Sequence, residues 1–444
     1  MAAVAPAAPW ALPEGFTALR RVPPRVALVH HWLVTPRGGE RVLAELCRIF
    51  PEAPIFTLFG DGRGMPAPID RHEVRVSRLD PLRRWHDRLA PLYPAAVRSL
   101  DLRGFDLVLS SDAACVKGVR IDRDAVHLCY CYAPMRWAFD FPETYLRAQL
   151  PALLRPPARL ALRALRSFDR SAALEVGAFA TSSTAVRERI RRHYRRDATV
   201  LPPPVDLERF TQLAGPATDR GGDYLWVGQL VPYKRPDLAV EAFRGSGRRL
   251  LIAGDGPLRR SLERRAGSEV EFLGTVSDAE VARLYRTCRA LIFPGEEDFG
   301  LVPLEAMACG MPVIALGAGG ALETVRGLWL DETGRALATG DGTALADPTG
   351  IFVPRADAGV LAAALEVFER EAGRFTAWAC VERAAQFGAA RFREDVRQWI
   401  GFVTGWQPPS PASVPASGAG GRRAEARTSG DPLWRSADRL PESD

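Results

Sequence analysis

The feature that most constrains this chain is an alternation. Short runs rich in β-branched and aromatic residues recur between stretches whose apolar residues fall at helical spacing. Strands separated by helices form βα units, and such units stack into parallel sheets covered by helices. Two series are visible. The first predicts strands at Arg25 to Trp32, Pro54 to Phe59, Phe105 to Ser110, Ala125 to Tyr132, Ala178 to Ser182 and Thr199 to Leu201. The triple proline Pro202 to Pro204 punctuates it. The second predicts strands at Tyr224 to Val227, Leu250 to Ala253, Val270 to Leu273, Ala290 to Pro294, Pro312 to Leu316 and Gly350 to Val353. The expected fold class is therefore α/β, with two doubly wound, Rossmann-like domains facing across a cleft and a hinge near Leu201 to Pro216. Ligands of such folds bind at the carboxyl ends of the strands. The predicted organisation is a disordered tail over 1–23, a first domain over 24–204, a second over 205–384, a C-terminal helix over 385–405 packing back on the first domain, and a disordered tail over 406–444. Trp329 to Pro348 carries no periodicity and reads as a surface loop.

At 444 residues with 47% hydrophobic and 25% charged residues, the chain has room for more than one core, and wholesale disorder is excluded. Its seven cysteines are odd in number and scattered. The one close pair, Cys129 and Cys131, suits alternate positions of a strand, so all seven are read as reduced thiols. Met1 to Pro24 has no leading basic residue and no apolar core of signal-peptide length, and nowhere do eighteen apolar residues run together. The expectation is a cytoplasmic protein whose membrane contact, if any, is peripheral at the inner face.

Charge is unevenly placed. The net charge is +6, yet Leu146 to Arg196 alone carries twelve Arg against Asp169, Glu175 and Glu188. Arg159, Arg163, Arg166 and Arg170 recur at helical spacing, and Ala161, Leu165, Phe168 and Ala172 form a second stripe about half a turn away. Two readings stand: a helix that meets anionic headgroups or a lipid diphosphate, or a solvated Arg face. Nucleic acid is disfavoured, because no stacking aromatics interleave with the stripe. Lysine is nearly absent: Lys117 and Lys234 stand alone among 59 basic residues. An ammonium is not interchangeable with a guanidinium, so both are candidate anion sites.

Three loops follow strands and precede helices. Arg37-Gly38-Gly39-Glu40 and Gly254-Asp255-Gly256-Pro257 are places where backbone N–H groups can approach an anion. The third, Pro294 to Glu305, sets Glu297 in a loop and Glu305 within a helix that starts near Gly300. Free N–H groups at that helix start can hold phosphate, and Glu305 can accept hydrogen bonds from ribose hydroxyls. Asp122-Arg123-Asp124 reads as a solvated turn. No metal site is expected, since the six His lack ligand spacing and the adjacent His30 and His31 should point apart on a strand. His31, near Gly38, is a candidate contact for acceptor or sugar.

Glu297 to Glu305 followed by Ala306-Met307-Ala308-Cys309-Gly310-Met311-Pro312-Val313-Ile314-Ala315, together with Val227 to Pro236, resembles the retaining glycosyltransferases of family 4, which have the GT-B architecture. Cys129 to Trp137 resembles the bacterial polysaccharide mannosyltransferase branch. The resemblance runs from about Arg25 to Thr404. It implies a donor-diphosphate contact from Lys234, a ribose contact from Glu305, and a sugar contact from Glu297 with the Phe299, Gly300 and Leu301 backbone. Gly254 and Gly256 would also line the donor site, and Gly38 and Gly39 would close on the phosphates from the opposite domain. Two positions depart from the family: Gln229 stands where Arg is usual, with Arg235 a candidate substitute, and Tyr132 stands where His commonly faces the donor sugar. The implied reaction moves a hexose, mannose favoured, from a nucleotide sugar such as GDP-mannose to a polysaccharide or lipid-linked glycan, with no cofactor and no metal. The leaving diphosphate itself assists deprotonation of the acceptor. A non-catalytic scaffold or partner subunit, and a nucleotide-sugar epimerase of the same fold, remain as alternatives.

Overall fold

The computed structural model describes residues 19, 21–34, 38–207, 209–210, 220–331, 333, 335 and 345–409. Most of the expected 1–23 tail, residues 410–444, much of the 329–348 loop, and 208 and 211–216 of the expected hinge lie outside the described residues. The chain divides into two compact units. One comprises the residues up to Ser182, Val186–Leu201 and the C-terminal helix from Phe392. The other comprises Pro202–Arg391 with Ser183–Ala185.

In the first unit seven strands pair in parallel: β1 (Val26–His30), β2 (Ile55–Thr57), β3 (Val74–Val76), β4 (Leu107–Asp112), β5 (Val126–Cys131), β6 (Ala178–Thr181) and β7 (Thr199–Val200). Their order is β3-β2-β1-β4-β5-β6-β7, so the sequence reverses direction between β1 and β4. Central strands buried on both faces read as continuous apolar runs, which is why β1, β4 and β5 are plain in the sequence. The edge strand β3 was absent from the expectation. It is three residues, Val-Arg-Val, none of them buried, and an edge needs no apolar signature.

Three apolar clusters cover the faces of this sheet. One contains Leu28, Leu109 and Leu128 with Val42, Leu43 and Leu46 of the helix Gly38–Ile49. The same cluster receives Phe392, Val396, Trp399, Ile400 and Val403, the buried stripe of the last helix, Ala389–Thr404. Spacing of three and four residues sets these side chains on one helix face, and that face finishes the first core. Trp399 is 1% exposed, so its truncation to Ala costs about 3–5 kcal/mol. From Phe392 onward the final helix thus belongs to the first unit, although 190 residues of the second, Pro202–Arg391, come before that point in the chain.

The second unit repeats the plan with β8 (Tyr224–Val227), β9 (Leu250–Ala253), β10 (Val270–Gly274), β11 (Leu291–Phe293), β12 (Val313–Leu316), β13 (Gly327–Trp329) and β14 (Gly350–Val353), all parallel. The order is β10-β9-β8-β11-β12-β14-β13. Here too the strand that the sequence reading missed, β13, lies at an edge. It ends at Trp329, where that reading began a loop. No helix among the described residues is long and apolar enough to cross a membrane.

The helix Arg155–Glu175 turns Leu165 and Ala172 into the unit, so the apolar stripe read from the sequence is its core face. The Arg stripe is only partly free. Arg159 makes two hydrogen bonds with Glu143, at 2.8 and 2.7 Å, and Arg170 donates to the His193 carbonyl. Arg163 and Arg166 have no ion pair among the described residues.

Candidate functional site

The carboxyl ends of β8, β9 and β11 bring together the residues singled out in the second unit. Lys234 lies in the single turn Pro232–Lys234 that follows β8, and its Nζ reaches Glu297 Oε1 at 2.7 Å. The lysine side chain is 13% exposed. Burial disfavours its ammonium, but Glu297, Tyr233 and Glu305 outweigh that and hold its pKa above the ordinary lysine value. Lys234 is therefore a cation at neutral pH.

Glycines let the loops close around this lysine. Gly254 has φ +142°, and a Cβ there would sit 1.8 Å from the Gly228 carbonyl oxygen. Only glycine permits the loop after β9 to pass so near the loop after β8. Gly256 packs in the same way against Leu230. Gly300, at φ +91°, turns the acidic loop into the helix Leu301–Ala308, whose first N–H groups have no helical carbonyl to bond. Phe299 is buried beside it, Leu301 is half-buried, and Glu305 lies one turn in. Tyr285 Oη donates to Glu305 Oε2 at 3.4 Å, a partner the sequence reading did not identify. Its signal was weak, a tyrosine in the apolar face of a neighbouring helix.

Gln229 is half-buried. Arg235, considered as its substitute, forms a bidentate pair with Asp237 at 2.9 to 3.2 Å at the start of the helix Pro236–Phe243. That pair engages the guanidinium, so its service to an anion requires an exchange of partners.

In the first unit Tyr132, Gly39 and the two adjacent histidines converge. Tyr132 Oη donates to the Gly39 carbonyl at 2.8 Å and lies 2.6 Å from Ser111 Oγ. Its hydroxyl thus fixes the Gly38–Gly39 turn, an engagement that the sequence did not suggest. Burial raises its pKa well above the ordinary phenol value.

The expectation that His30 and His31 point apart is corrected. β1 ends at His30, so strand alternation stops there, and the two ring centroids lie 4.1 Å apart. Together with Glu40 they form a buried group whose ligand atoms all lie within 4.8 Å of one another. Burial, and His30 beside it, push the His31 pKa down to about 3. Ser111 and Glu40, which hold this group, were given no role from the sequence. The available signal was the polar run Ser110-Ser111-Asp112 at the end of a strand buried throughout.

Lys117 is the second correction. It is 1% exposed between two carboxylates, 2.9 Å from Asp112 and in direct contact with Asp169, which also accepts from Tyr194 Oη at 2.6 Å. Burial opposes its charge, but the two carboxylates raise its pKa well above the ordinary value. It is a structural ion group of the first unit rather than an anion site.

The family model for glycosyl transferases group 1 matches residues 216–348, the stretch that holds Lys234, Gly254, Glu297 and Glu305. The chain is 34% identical over 222 residues to a D-inositol 3-phosphate glycosyltransferase of Kineococcus radiotolerans, covering 43% of this chain and 48% of that protein. It is 41% identical over 95 residues to a GDP-mannose-dependent alpha-(1-6)-phosphatidylinositol dimannoside mannosyltransferase of Mycobacterium tuberculosis, covering 20% of this chain and 25% of that protein. The chain spans less than half the length of these curated relatives. In fold it is similar to Anabaena HepE, crystallised with UDP and glucose, with a TM-score of 0.55 at 16% identity over 85% of this chain and 99% of that one. The two parallel seven-stranded sheets are those of the GT-B glycosyltransferases.

Proposed function

We propose that the chain is a retaining glycosyltransferase of family 4 that moves a hexose, mannose favoured, from a nucleotide-diphosphate sugar to a polysaccharide or lipid-linked glycan. The observation that carries this reading is the Lys234–Glu297 pair at the carboxyl edge of the second sheet, inside the matched stretch. A diphosphate leaving group develops negative charge as the glycosidic bond breaks. A nearly dry ammonium stabilises that charge far more than one in water. Lys234 exchanges Glu297 for a phosphate oxygen, which leaves the Glu297 carboxylate to accept hydrogen bonds from sugar hydroxyls. The N–H groups at the start of Leu301–Ala308 add partial positive charge, and Glu305, held by Tyr285, accepts from the ribose. The acceptor proton passes to the leaving diphosphate, so no side chain is needed as a nucleophile. In this reading Lys234 and the helix start supply the charge on the diphosphate and the reaction draws on no metal there.

The acceptor side of the reading is a glycan at the inner face of an anionic membrane. Its support is the surface around Arg155–Glu175, where Leu153, Leu160 and Leu174 are 86%, 67% and 69% exposed and where Arg163 and Arg166 have no ion pair among the described residues. Apolar side chains flanked by free guanidinium groups suit a headgroup layer.

The test is calorimetric titration with GDP, UDP, ADP and their common hexose conjugates. One nucleotide is expected to bind the wild-type chain and to lose affinity on Lys234→Ala. Equal affinity of both chains for every nucleotide overturns the assignment of Lys234, and interconversion of sugars without transfer overturns the transferase in favour of an epimerase.

A further inference from the structure

The hydrogen bonds around Ser111 fix where the protons lie. The Gly39 carbonyl can only accept, so the single Tyr132 hydroxyl proton points at it. The 2.6 Å contact between Ser111 Oγ and Tyr132 Oη must then use the serine proton. Ser111 Oγ, having spent its proton, accepts from His30 Nδ1 at 3.1 Å, so a His30 ring with a single hydrogen carries it on Nδ1 and leaves a bare lone pair on Nε2. His31 Nδ1 lies 3.4 Å from the Ser111 carbonyl, another pure acceptor, which likewise leaves His31 Nε2 unprotonated.

The bare His30 Nε2 is fully buried, has no hydrogen-bond partner among the described residues, and faces Glu40 Oε1 at 3.6 Å. Two acceptors that face each other in a dry pocket repel unless a cation lies between them. A proton or a metal ion can fill that place. The third donor decides between them: His31 brings a second imidazole nitrogen into the same group, all within 4.8 Å, and a proton shared by His30 and Glu40 gives it nothing to bind. The 3.6 Å separation is also near the roughly 3.3 Å edge between donors of a tetrahedral zinc with bonds of ~2.0–2.1 Å. Both Nδ1 groups already have the outer partners that ligating histidines take.

We propose that His30, His31 and Glu40 form a three-ligand site for a divalent transition metal of the zinc class, with the fourth position open to water. Two imidazoles and one carboxylate suit zinc or cobalt and not magnesium or calcium, which take oxygen donors. The ion ties the end of β1 to the first turn of the helix Gly38–Ile49, beside Gly39, which the His30, His31 and Tyr132 rings all approach. The inference is independent of the transferase reading, because it concerns metal content and needs neither nucleotide nor acceptor.

The test uses the full chain without a histidine tag. The protein is stripped with chelator and titrated with Zn²⁺ and Co²⁺, with bound metal read by elemental analysis and by the visible bands of tetrahedral Co²⁺. One equivalent per chain and those bands are expected. Glu40→Gln and His31→Gln should each weaken binding at least about tenfold, whereas Asp122→Asn, a change in a distant turn, should not. The spectrum of the wild-type chain keeps the test open even if a variant fails to fold. Absence of stoichiometric binding, or of Co²⁺ bands, overturns the proposal in favour of a proton shared by His30 and Glu40.

Discussion

The chain keeps two lysines, and their surroundings divide the molecule into a sealed region and an open one. Lys117 meets two carboxylates, Asp112 and Asp169, and is 1% exposed. Lys234 meets Glu297 at 2.7 Å and retains 13% exposure. The count of carboxylates is the difference. Two of them close the charge of an ammonium and fix it in the fold, while a lysine with one retains donor capacity that an incoming phosphate can take. Residue type alone does not separate these cases; what does is Asp169, which the helix Arg155–Glu175 sets beside Lys117.

Removing Lys117 should be the most damaging change. Lys117→Met leaves Asp112 and Asp169 buried without a counter-charge, and breaking such a group costs about 3–5 kcal/mol. Chemical denaturation should show this loss, and it should shrink at acid pH, where protonation removes one carboxylate charge. A loss below about 1 kcal/mol would erase the distinction between the two lysines.

The sealed region also sets an acid limit. His127, hydrogen-bonded to Ser110 at 2.9 Å, is fully buried, and burial pushes its pKa down to about 4 from 6.5. The unfolded chain binds this proton more readily than the folded one as pH falls. Stability from His127 is thus complete above pH 6.5 and is lost progressively down to about pH 4, by about 3 kcal/mol in all. Denaturation of His127→Gln against the wild type across pH 4–7 should show the smaller pH dependence in the variant. Parallel curves would mean that the histidine titrates as if exposed.

In the open region the effect falls on binding. Lys234→Ala should weaken the donor nucleotide by about 1.5–3 kcal/mol. Its effect on folding should be smaller than that of Lys117→Met, because Glu297 is left partly exposed to water. A Lys234 variant that unfolds as readily as the Lys117 variant while binding nucleotide normally would invert the comparison.

How much of this was legible before the structure depends on where the information lies along the chain. β1, β4, β8 and β11 were readable because a strand buried on both faces must be apolar along its length. The edges β3 and β13 were not, since three residues with half their surroundings missing carry no pattern. Lys234, Gly254 and Glu297 stood out because each follows a strand in a short loop. The group of His30, His31, Glu40 and Ser111 did not, because it joins residues 81 apart through a pairing of β1 with β4 that no local spacing encodes.

The smallest effect is expected at the helix Arg155–Glu175, where the sequence counted four arginines on one face. Glu143 neutralises Arg159 and a carbonyl engages Arg170, which leaves Arg163 and Arg166 for any anionic surface. At about 1 kcal/mol for each basic residue near a charged bilayer, Arg163→Gln with Arg166→Gln should cut binding to phosphatidylserine vesicles roughly tenfold or more at low salt. Arg159→Gln alone should do less, since it lowers the local charge by one, whereas the double substitution lowers it by two. Vesicle sedimentation that responds equally to all three substitutions would mean that the Glu143 pair opens at the membrane, and that the folded pairing is a poor guide to which charges a lipid surface meets.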